Sequence, residues 1–409
     1  MSRKTAFVGF SYMAGLLLAS FFSAPLSIAI GAVLLGFGLC TVFFFRPKHS
    51  GSFYRSAVCA IACCVGLWIY SGYDMTVCRN ITANIGNFSG TVTIEQSTVY
   101  SEEKAFYITH CTFPNGASGN IGFFDRRSDL VKGDKITLSG QLYAPENTGF
   151  FNSADYYRSM NVFLLMKSVR TSGYEIKEHN FYRTLDDFRH NVSDTIRKYI
   201  PSEEGELLIG MLFGSSKWNM SDRTENLLYR AGIGHVAAVS GLHMSVAAGI
   251  AAALAIALRL PKWGQFISVT AVSLLFAMTA GFTPSVVRSL IMVMFVWAAG
   301  IFNRRSDSLT SLAAAIIIMT ISSPFIVRST SFLLSVSGTI GTAVLSPMFI
   351  NAYEKKMERK TDLPYHVGAL TSALCSSLCA AAAVFPVSAL TFDQISIASP
   401  LTNLLLSPL

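Results

Sequence analysis

The stretch GIGHVAAVSGLHMSVAAGIAAALAIAL, residues 232–258, joins a polar, glycine-containing segment to a long apolar run. From residue 236 onward the run can cross the hydrocarbon core of a bilayer, which takes about 20 residues of helix. His235, Ser240 and His243 stand at its beginning. The stretch therefore predicts a membrane-spanning helix that carries polar side chains at one end.

Comparable apolar stretches recur along the whole chain. The 409 residues are 51% hydrophobic and only 14% charged, whereas soluble proteins carry about 25% charged residues. The other apolar stretches cover residues 5–24, 25–45, 56–71, 263–283, 285–302, 309–326, 331–350 and 366–390. Because further spans follow the first at once, we interpret residues 5–24 as a membrane anchor and not as a signal peptide. The chain is predicted to be a polytopic α-helical membrane protein.

The net charge of +8 follows from topology and does not indicate nucleic-acid binding. With a cytoplasmic N-terminus and alternating spans, thirteen cations of the short connections fall inside, which the positive-inside rule explains. They are Arg3, Lys4, Arg46, Lys48, Arg55, Arg259, Lys262, Arg304, Arg305, Lys355, Lys356, Arg359 and Lys360. The same topology places residues 72–235 outside, in an extracellular or periplasmic space.

Residues 72–175 have the sequence pattern of a β domain that is inserted between membrane helices. Segments such as SGTVTIEQSTVYSEEKAFYITHC and KGDKITLSGQLY alternate apolar and polar residues, and turn sequences separate them. About five short strands predict an OB-like barrel, with a β-sandwich fragment as the alternative. Cys78 and Cys111 are the cysteines on the predicted outer side, so a disulfide between them is expected.

An OB barrel can bind single strands through a basic groove and stacking aromatics. Between Asp74 and Arg170, however, nine cations face nine acids, so composition indicates no positive groove. Aromatic residues could stack bases, although such residues more often belong to the core. The candidates are Phe123, Phe124, Tyr143, Phe150 and Phe151.

Residues 176–231 are predicted to form amphipathic helices that lie at the membrane surface. Apolar residues recur there at spacings of three and four, as on one face of a helix, with charges between them. These residues are Leu185, Phe188, Val192, Ile196 and Tyr199.

Several interpretations of the Ser240 and His243 region remain open. The two side chains share a helix face, but a serine nucleophile also needs an orienting acid, and neither an acid nor a Gly-x-Ser-x-Gly elbow is present in this run. His235 and His243 would converge only loosely on a metal and lack a third ligand. The alternatives are a helix cap at the membrane interface and the polar lining of a water-filled path.

The segment TAGFTPSVVRS favours the lining. Gly281 and Pro284 interrupt the apolar register, which predicts a break in helical structure beside a cavity. Arg288 follows inside the predicted span, where burying a charged side chain is costly and usually indicates a functional role. Arg328 and Asp393 lie nearer predicted helix ends, where snorkelling is sufficient.

The segments AGIGHVAAVSGLHMSV, AGFTPSVVRSLIMV, STSFLLSVSGTIG and FPVSALTFDQISIASPLTNLLLSPL resemble, in this order, motifs of the ComEC-type competence proteins. The resemblance implies a bacterial plasma-membrane channel component that takes up single-stranded DNA in natural transformation. Its implied partners are single-stranded DNA, the lipid bilayer, other competence-machinery proteins and a separate nuclease domain; no cofactor is implied. The matching positions, which become candidates for lining the channel, are His235, Ser240, Gly241, Leu242, His243, Gly281 and Arg288.

The chain also departs from this family. It contains no His-x-His-x-Asp-His run of the metallo-β-lactamase-like domain that many members carry, so no nuclease activity and no enzyme function are expected. The last apolar stretch, Ser396–Leu409, is short for a span, which leaves a truncated, non-transporting homologue as one alternative. A small-solute transporter with an external β domain is a separate alternative.

The predicted organisation has four parts. Residues 1–71 form three N-terminal transmembrane helices, 72–175 the external OB-like domain, 176–231 the interfacial helices, and 232–409 the competence-type bundle.

Overall fold

The computed structural model describes residues 4–44, 51–101, 104–146, 153–177, 180–214, 220–231, 239–357, 365–391 and 402. They belong to two compact units. Unit 1 comprises Met1–Lys198 and Ala313–Ser329, and unit 2 comprises Tyr199–Leu312 and Thr330–Leu409. Each unit is therefore built from two separate parts of the sequence.

Unit 1 begins with apolar helices. These are α1 (Lys4–Phe21), α2 (Ala24–Phe44) and α3 (Gly51–Tyr73), and α3 continues through a wider π-type turn at Asp74–Cys78 into α4 (Arg79–Thr82). Helices α1 and α3 cross closely, because a Cβ atom at Gly15 would collide with the carbonyl oxygen of Cys63, and one at Gly66 with that of Tyr12. Small residues at such a crossing let two helix backbones approach within a membrane.

The β domain of unit 1 is a closed barrel. Its strands are β1 (Gly86–Ser101), β2 (Lys104–Thr112), β3 (Ser118–Asp125), β4 (Lys135–Tyr143) and β5 (Val162–Glu175), with α5 (Ser153–Ser159) before β5. The order around the barrel is β1-β2-β3-β5-β4; β3 and β5 run parallel, and the other neighbours are antiparallel. The helix α6 (Phe181–Tyr199) follows β5.

Alternation of side chains explains why this sequence forms a barrel. Along β4, Ile136, Leu138 and Leu142 are buried, and their intervening neighbours are more exposed. They share the interior with Ile121 and Phe123 of β3. Because successive strand residues point to opposite faces, one face fills the core and the other meets water. The predicted β domain is confirmed; its OB assignment and its external location stay predictions.

Unit 2 is helical in its described residues. Its first helices are α7 (Glu203–Phe213), α8 (Asp222–Arg230), α9 (Gly241–Ala257), α10 (Lys262–Ala280) and α11 (Pro284–Ile301). Alanines of α9, among them Ala248 and Ala252, pack against Val269 of α10, with Trp297 of α11 beside them. Small side chains on α9 thus permit close packing of α9, α10 and α11.

The chain then passes between the two units. The first residues of α12 (Ser308–Ser322) belong to unit 2 and its remainder to unit 1, together with a 3₁₀ turn at Pro324–Arg328. Unit 2 resumes with α13 (Thr330–Ile340), which continues through a π-type turn at Gly341–Leu345 into α14 (Ser346–Met357), and it includes α15 (Tyr365–Thr391).

The segment Ala313–Ser329 is held in unit 1 by polar and aromatic contacts. An Arg328 Nη2 atom lies 2.8 Å from the Asp155 Oδ2 of α5, and the Ser323 hydroxyl donates to Asn161 Oδ1 at 2.7 Å. Phe325 is buried, with its ring centroid 4.9 Å from that of Tyr70. The snorkelling assigned to Arg328 from the sequence is therefore replaced by an ion pair, whereas Asp393 lies outside the described residues.

Hydropathy and structure agree on the membrane class. Among the described residues, six helices are long and apolar enough to cross a membrane: Lys4–Phe21, Arg55–Thr82, Lys262–Ala280, Pro284–Ile301, Thr330–Ala352 and Thr371–Thr391. Shorter apolar helices occupy Ala24–Gly36, Gly241–Ala257 and Ser308–Ser322. Each of the predicted apolar stretches overlaps one of these helices, so the prediction of a helical membrane protein with a β domain is confirmed.

Candidate functional site

A histidine-assisted cap starts α9. Ser240 precedes the helix in an extended conformation, and its backbone N–H donates to Nδ1 of His243 at 3.1 Å. Since a backbone N–H can only donate, Nδ1 is unprotonated, and the proton of the neutral ring lies on Nε2. Among the described residues, this buried Nε2 has no hydrogen-bond partner. His243 therefore caps the helix with one nitrogen and holds an unused donor on the other.

The cap geometry argues against a serine nucleophile. The Ser240 hydroxyl lies 3.2 Å from Nδ1 of His243, but that nitrogen already accepts from the backbone, and in the described part of the chain no carboxylate is bonded to Nε2 to orient the ring. His235 lies outside the described residues. Leu242 is 63% exposed, so its side chain leaves the packed interior of unit 2.

Arg288 is the buried cation of unit 2. It lies in the second turn of α11, which begins with Pro284, and its side chain leaves only 8% of the residue exposed. Nη1 donates to the Thr339 hydroxyl of α13 and lies 3.6 Å from Met292 Sδ, while Nη2 donates to Ser289 Oγ at 3.3 Å. Among the described residues, Nε is buried without an acceptor. Every acceptor of this guanidinium group is thus uncharged.

The helices near Arg288 in the sequence contain no acidic residue that could act as its counter-ion. No Asp or Glu occurs between Ala231 and Ser306, or between Ser308 and Tyr353. The helices around the guanidinium group therefore contribute two hydroxyl groups and a thioether, all uncharged. Desolvating an ion costs several kcal/mol unless an opposite charge offsets it, so the fold retains Arg288 at a cost to stability. Such a residue inside membrane helices indicates a functional site.

The beginning of α9 lies against the Arg288 side chain. A Cβ atom built on Gly241 would lie 3.2 Å from Arg288 Nη2 and 2.8 Å from Ser289 Oγ. Helix N-termini carry partial positive charge from their unsatisfied N–H groups. A cation and a helix N-terminus thus meet at one place, which we name the Arg288 site and define by Gly241, Arg288, Ser289 and Thr339.

Gly281 ends the helix α10, which precedes the helix that carries Arg288. Its φ of +83° ends α10 in the left-handed conformation that glycine adopts without strain. Pro284 then starts α11 at a position where its missing N–H is not needed. The interruption predicted from these two residues is therefore the turn between α10 and α11, and not a break within one span.

Unlike Arg288, several cations of the barrel and of the helix after it are paired with carboxylates. Lys132 Nζ lies 2.9 Å from Glu95 Oε2, Arg127 Nε 2.5 Å from Asp129 Oδ1, and Arg183 Nη2 2.7 Å from Asp134 Oδ2. The Asp129 carboxylate raises the pKa of Arg127, and Arg127 lowers the pKa of Asp129. These pairs leave little unbalanced positive charge for a nucleic acid at these positions.

The predicted stacking aromatics divide by location. Phe123 is fully buried in the barrel, so it is a core residue and not a stacking platform. Phe124 is 42% exposed, and Lys167 Nζ lies 5.7 Å from the ring centre of the half-buried Tyr143. Phe150 and Phe151 lie outside the described residues.

Cys78 and Cys111 are both buried, and both thiols are free in this structure. Burial raises the pKa of the Cys111 thiol to about 12, so it is almost wholly protonated at neutral pH. The disulfide between them stays a prediction.

Residues 211–409, which contain the Arg288 site, match the family described as Competence protein. The chain carries a competence-protein domain. The resemblance found in the sequence is thereby confirmed. The chain is also 23% identical over 282 residues to ComE operon protein 3 of Bacillus subtilis (strain 168). This alignment covers 68% of the chain and 34% of the relative, so the chain spans about a third of that protein. No solved structure matches the chain.

Within the competence-protein domain, the structure adds residues that the sequence did not single out. Ser289 and Thr339 contact Arg288, and Ser335 and Ser285 lie beside them with their Oγ atoms 3.3 Å apart. In the sequence these residues are ordinary hydroxyl residues in apolar helices. Only the adjacency of α11 and α13 reveals that Ser289 and Thr339 contact the same cation.

Proposed function

We propose that the chain is a multi-pass plasma-membrane component through which single-stranded DNA enters the cytoplasm in natural transformation. The competence-protein domain supports a role in this process. We further propose that the chain positions and conducts the strand without covalent chemistry of its own. In this proposal, any nuclease is a separate partner, as are the other proteins of the competence machinery.

The Arg288 site is the observation that carries this proposal. A DNA strand brings one negative charge per phosphate into a region where water is scarce, and a fixed cation lowers the free energy of that phosphate. A neighbouring carboxylate would cancel the attraction, and α9, α11 and α13 contain none. The hydroxyl groups of Ser289 and Thr339 hold the guanidinium group in place without neutralising it.

A conducting path also has to release its cargo. Binding must be favourable enough for entry and weak enough for exit. One cation with uncharged neighbours meets this requirement better than a cluster of cations, which would retain a polyanion. We assign the lining of the path to the polar end of α9 and the beginning of α11, through Ser240, Gly241, His243 and Arg288.

We place the N-terminus in the cytoplasm and residues 72–235 outside, with the barrel as the part that meets DNA first. The distribution of lysine and arginine along the chain supports this orientation. The exposed Phe124 and the Lys167–Tyr143 pair are the contacts on the barrel that suit a single strand, since aromatic faces stack on any base.

The test is transformation of the source organism. Deleting the gene should abolish transformation but leave DNA bound at the cell surface. Restoring the gene with Arg288→Ala or His243→Ala should recover membrane protein but little uptake. The matched control is Arg304→Ala, which removes an exposed cation of the same unit and should restore uptake fully. Normal transformation in the deletion strain would disprove the proposed function.

A further inference from the structure

We propose that the turn between α9 and α10 and the turn between α11 and α12 together form a binding surface for the headgroups of anionic phospholipids. The surface consists of four cations and three apolar side chains of unit 2, and we name it the basic turn surface. Its members are Arg259, Lys262, Arg304 and Arg305, with Leu258, Trp263 and Phe302. The proposal depends neither on the Arg288 site nor on the function proposed above.

The two turns are neighbours in the structure. Lys262 Nζ donates to Asn303 Oδ1 at 2.6 Å, which joins the beginning of α10 to the residues after α11. Helices α9 and α11 also end in the same way, with Arg259 and Asn303 in the left-handed conformation at φ +54° and +50°. In each turn the next backbone N–H then donates to a carbonyl oxygen of the preceding helix, at 3.0 and 2.8 Å. Their cations therefore belong to one surface at one end of the helices.

The positive charge of this surface is not balanced by the chain. Among the described residues, no carboxylate forms an ion pair with any of the four cations. The nearest acid in the sequence, Asp307, accepts the backbone N–H and the hydroxyl of Thr310 at 3.0 and 2.7 Å and so caps α12. An anion from outside the chain would lower the free energy of this surface.

The backbone at Arg259 points to a purpose for its charge. A left-handed conformation is unfavourable for most residues that carry a Cβ atom, so glycine or asparagine usually occupies this position after a helix. Asn303 follows this preference after α11, whereas Arg259 departs from it after α9. The Arg259 side chain is exposed, and neither an ion pair nor backbone geometry within the described residues explains it. The guanidinium group is thus available to a partner outside the chain.

The apolar members of the surface decide which anion fits. Leu258, Trp263 and Phe302 are 72%, 58% and 68% exposed beside the cations. Helices α10 and α11, with 19 and 18 residues, are roughly 28 Å long, which matches the hydrocarbon core of a bilayer. Their ends at these turns therefore lie where acyl chains meet headgroups.

An amphiphilic anion satisfies both parts of the surface. The aromatic and aliphatic side chains can enter the acyl region while the cations meet lipid phosphates. A water-soluble polyanion would meet the cations but leave the apolar side chains in water. We therefore assign the surface to anionic phospholipid.

The test measures phospholipid binding by the full-length protein in a neutral detergent. Phosphatidylglycerol is the probe, and phosphatidylcholine with the same acyl chains is the reference without net charge. The wild-type protein should bind phosphatidylglycerol more tightly, and high salt should reduce the difference. Arg259→Asn, Arg304→Gln and Arg305→Gln should each weaken this binding by about 5-fold, and the triple variant by about 100-fold.

The matched control is Arg223→Gln, which removes an exposed cation of α8 in the same unit and should bind phosphatidylglycerol like the wild-type protein. Arg259→Asn should unfold at a temperature at least as high as the wild-type protein does, because asparagine tolerates the left-handed conformation. A lower unfolding temperature with unchanged lipid binding would make Arg259 a structural residue and overturn its assignment.

Two further results would overturn the surface as a lipid site. One is equal affinity of the wild-type protein for the two phospholipids, and the other is full phosphatidylglycerol binding by the triple variant. A short oligodeoxythymidylate that displaces phosphatidylglycerol from the wild-type protein, and binds the triple variant poorly, would instead identify a nucleic-acid interface. None of these results bears on the DNA-uptake assay, so the lipid surface and the proposed function can fail separately.

Discussion

The barrel and the Arg288 site place cations in opposite surroundings. At the barrel, Arg183 of α6 lies 2.7 Å from the fully buried carboxylate of Asp134, which also accepts the backbone N–H of Val131. In unit 2, Arg288 is buried among hydroxyl groups and a thioether, with no carboxylate in the neighbouring helices. The barrel pair completes itself within the chain. The Arg288 site is complete only with something from outside it.

The difference shows what burial of a charge means in each case. A buried pair is internally balanced, so removing one partner is costly while the pair itself adds little. A buried cation without a partner lowers stability in the absence of its ligand and gains from binding one. Stability measurements on matched variants should therefore separate structural cations from functional ones, even before any transport assay.

The largest effect is expected in the barrel. Arg183→Ala leaves the Asp134 carboxylate buried without its counter-ion, and we expect a loss of about 3 kcal/mol in the free energy of unfolding. Chemical denaturation of the full chain, followed by a probe of the barrel, measures it. A loss below that of an exposed pair would mean that the backbone donors to Asp134 suffice, and the contrast between the two regions would weaken.

The second expected effect has the opposite sign. Arg288→Met fills a similar volume without a charge that the fold cannot balance, so we expect its free energy of unfolding to exceed that of the wild-type protein by about 2 kcal/mol. The same variant should lose uptake. Destabilisation by this replacement would indicate that Arg288 is held as a structural residue, like Arg183.

A smaller effect is expected at Asp155 of α5, which pairs with Arg328 of the segment Ala313–Ser329. Burial raises the pKa of Asp155, and Arg328 and Arg158 partly offset the rise. The folded chain thus binds this proton more tightly than the unfolded chain, so the contribution of Asp155 to stability falls as pH rises above about 4. Asp155→Asn should flatten this dependence and raise the free energy of unfolding at neutral pH by less than about 1 kcal/mol, because it removes a carboxylate whose ionised form burial disfavours, while loss of the Arg328 pair offsets part of the gain. Unfolding curves between pH 4 and 7 test both expectations.

The smallest effect is expected for an exposed pair of the barrel. Lys135 Nζ lies 3.4 Å from Glu175, and both side chains meet water. Lys135→Ala should change the free energy of unfolding by less than about 0.5 kcal/mol, and the change should vanish in high salt. A larger, salt-resistant loss would show that even exposed cations of the barrel are structural.

The membrane helices and the strands could be predicted from the sequence because hydropathy and the alternation of apolar and polar residues extend along the whole of each element. Hydropathy over about 20 residues found α9 and α11, and alternation in KITLSGQLY found β4. The partners of single side chains depend on which elements become neighbours. Thr339 is 51 positions from Arg288, and the pattern of either helix is silent about their contact.

The Ser240–His243 element shows an intermediate case. Spacing placed both side chains on one helix face and left a nucleophile, a cap and a path lining open. The decisive observation was that the Ser240 backbone N–H occupies Nδ1 of His243, a contact that depends on where α9 begins. Local geometry thus adds to the missing acid and the missing Gly-x-Ser-x-Gly elbow as an argument against a hydrolytic Ser-x-x-His pair.

The inserted segment Ala313–Ser329 has a consequence for how this protein can be divided. The region that matches the competence family begins at residue 211, yet Phe325 of that region is buried against Tyr70 and Tyr73 from the N-terminal part of the chain. The region that matches the family and the compact structural units therefore have different boundaries in the chain. Expressed alone, residues 211–409 would expose that aromatic ring to solvent or lipid and leave Arg328 without Asp155.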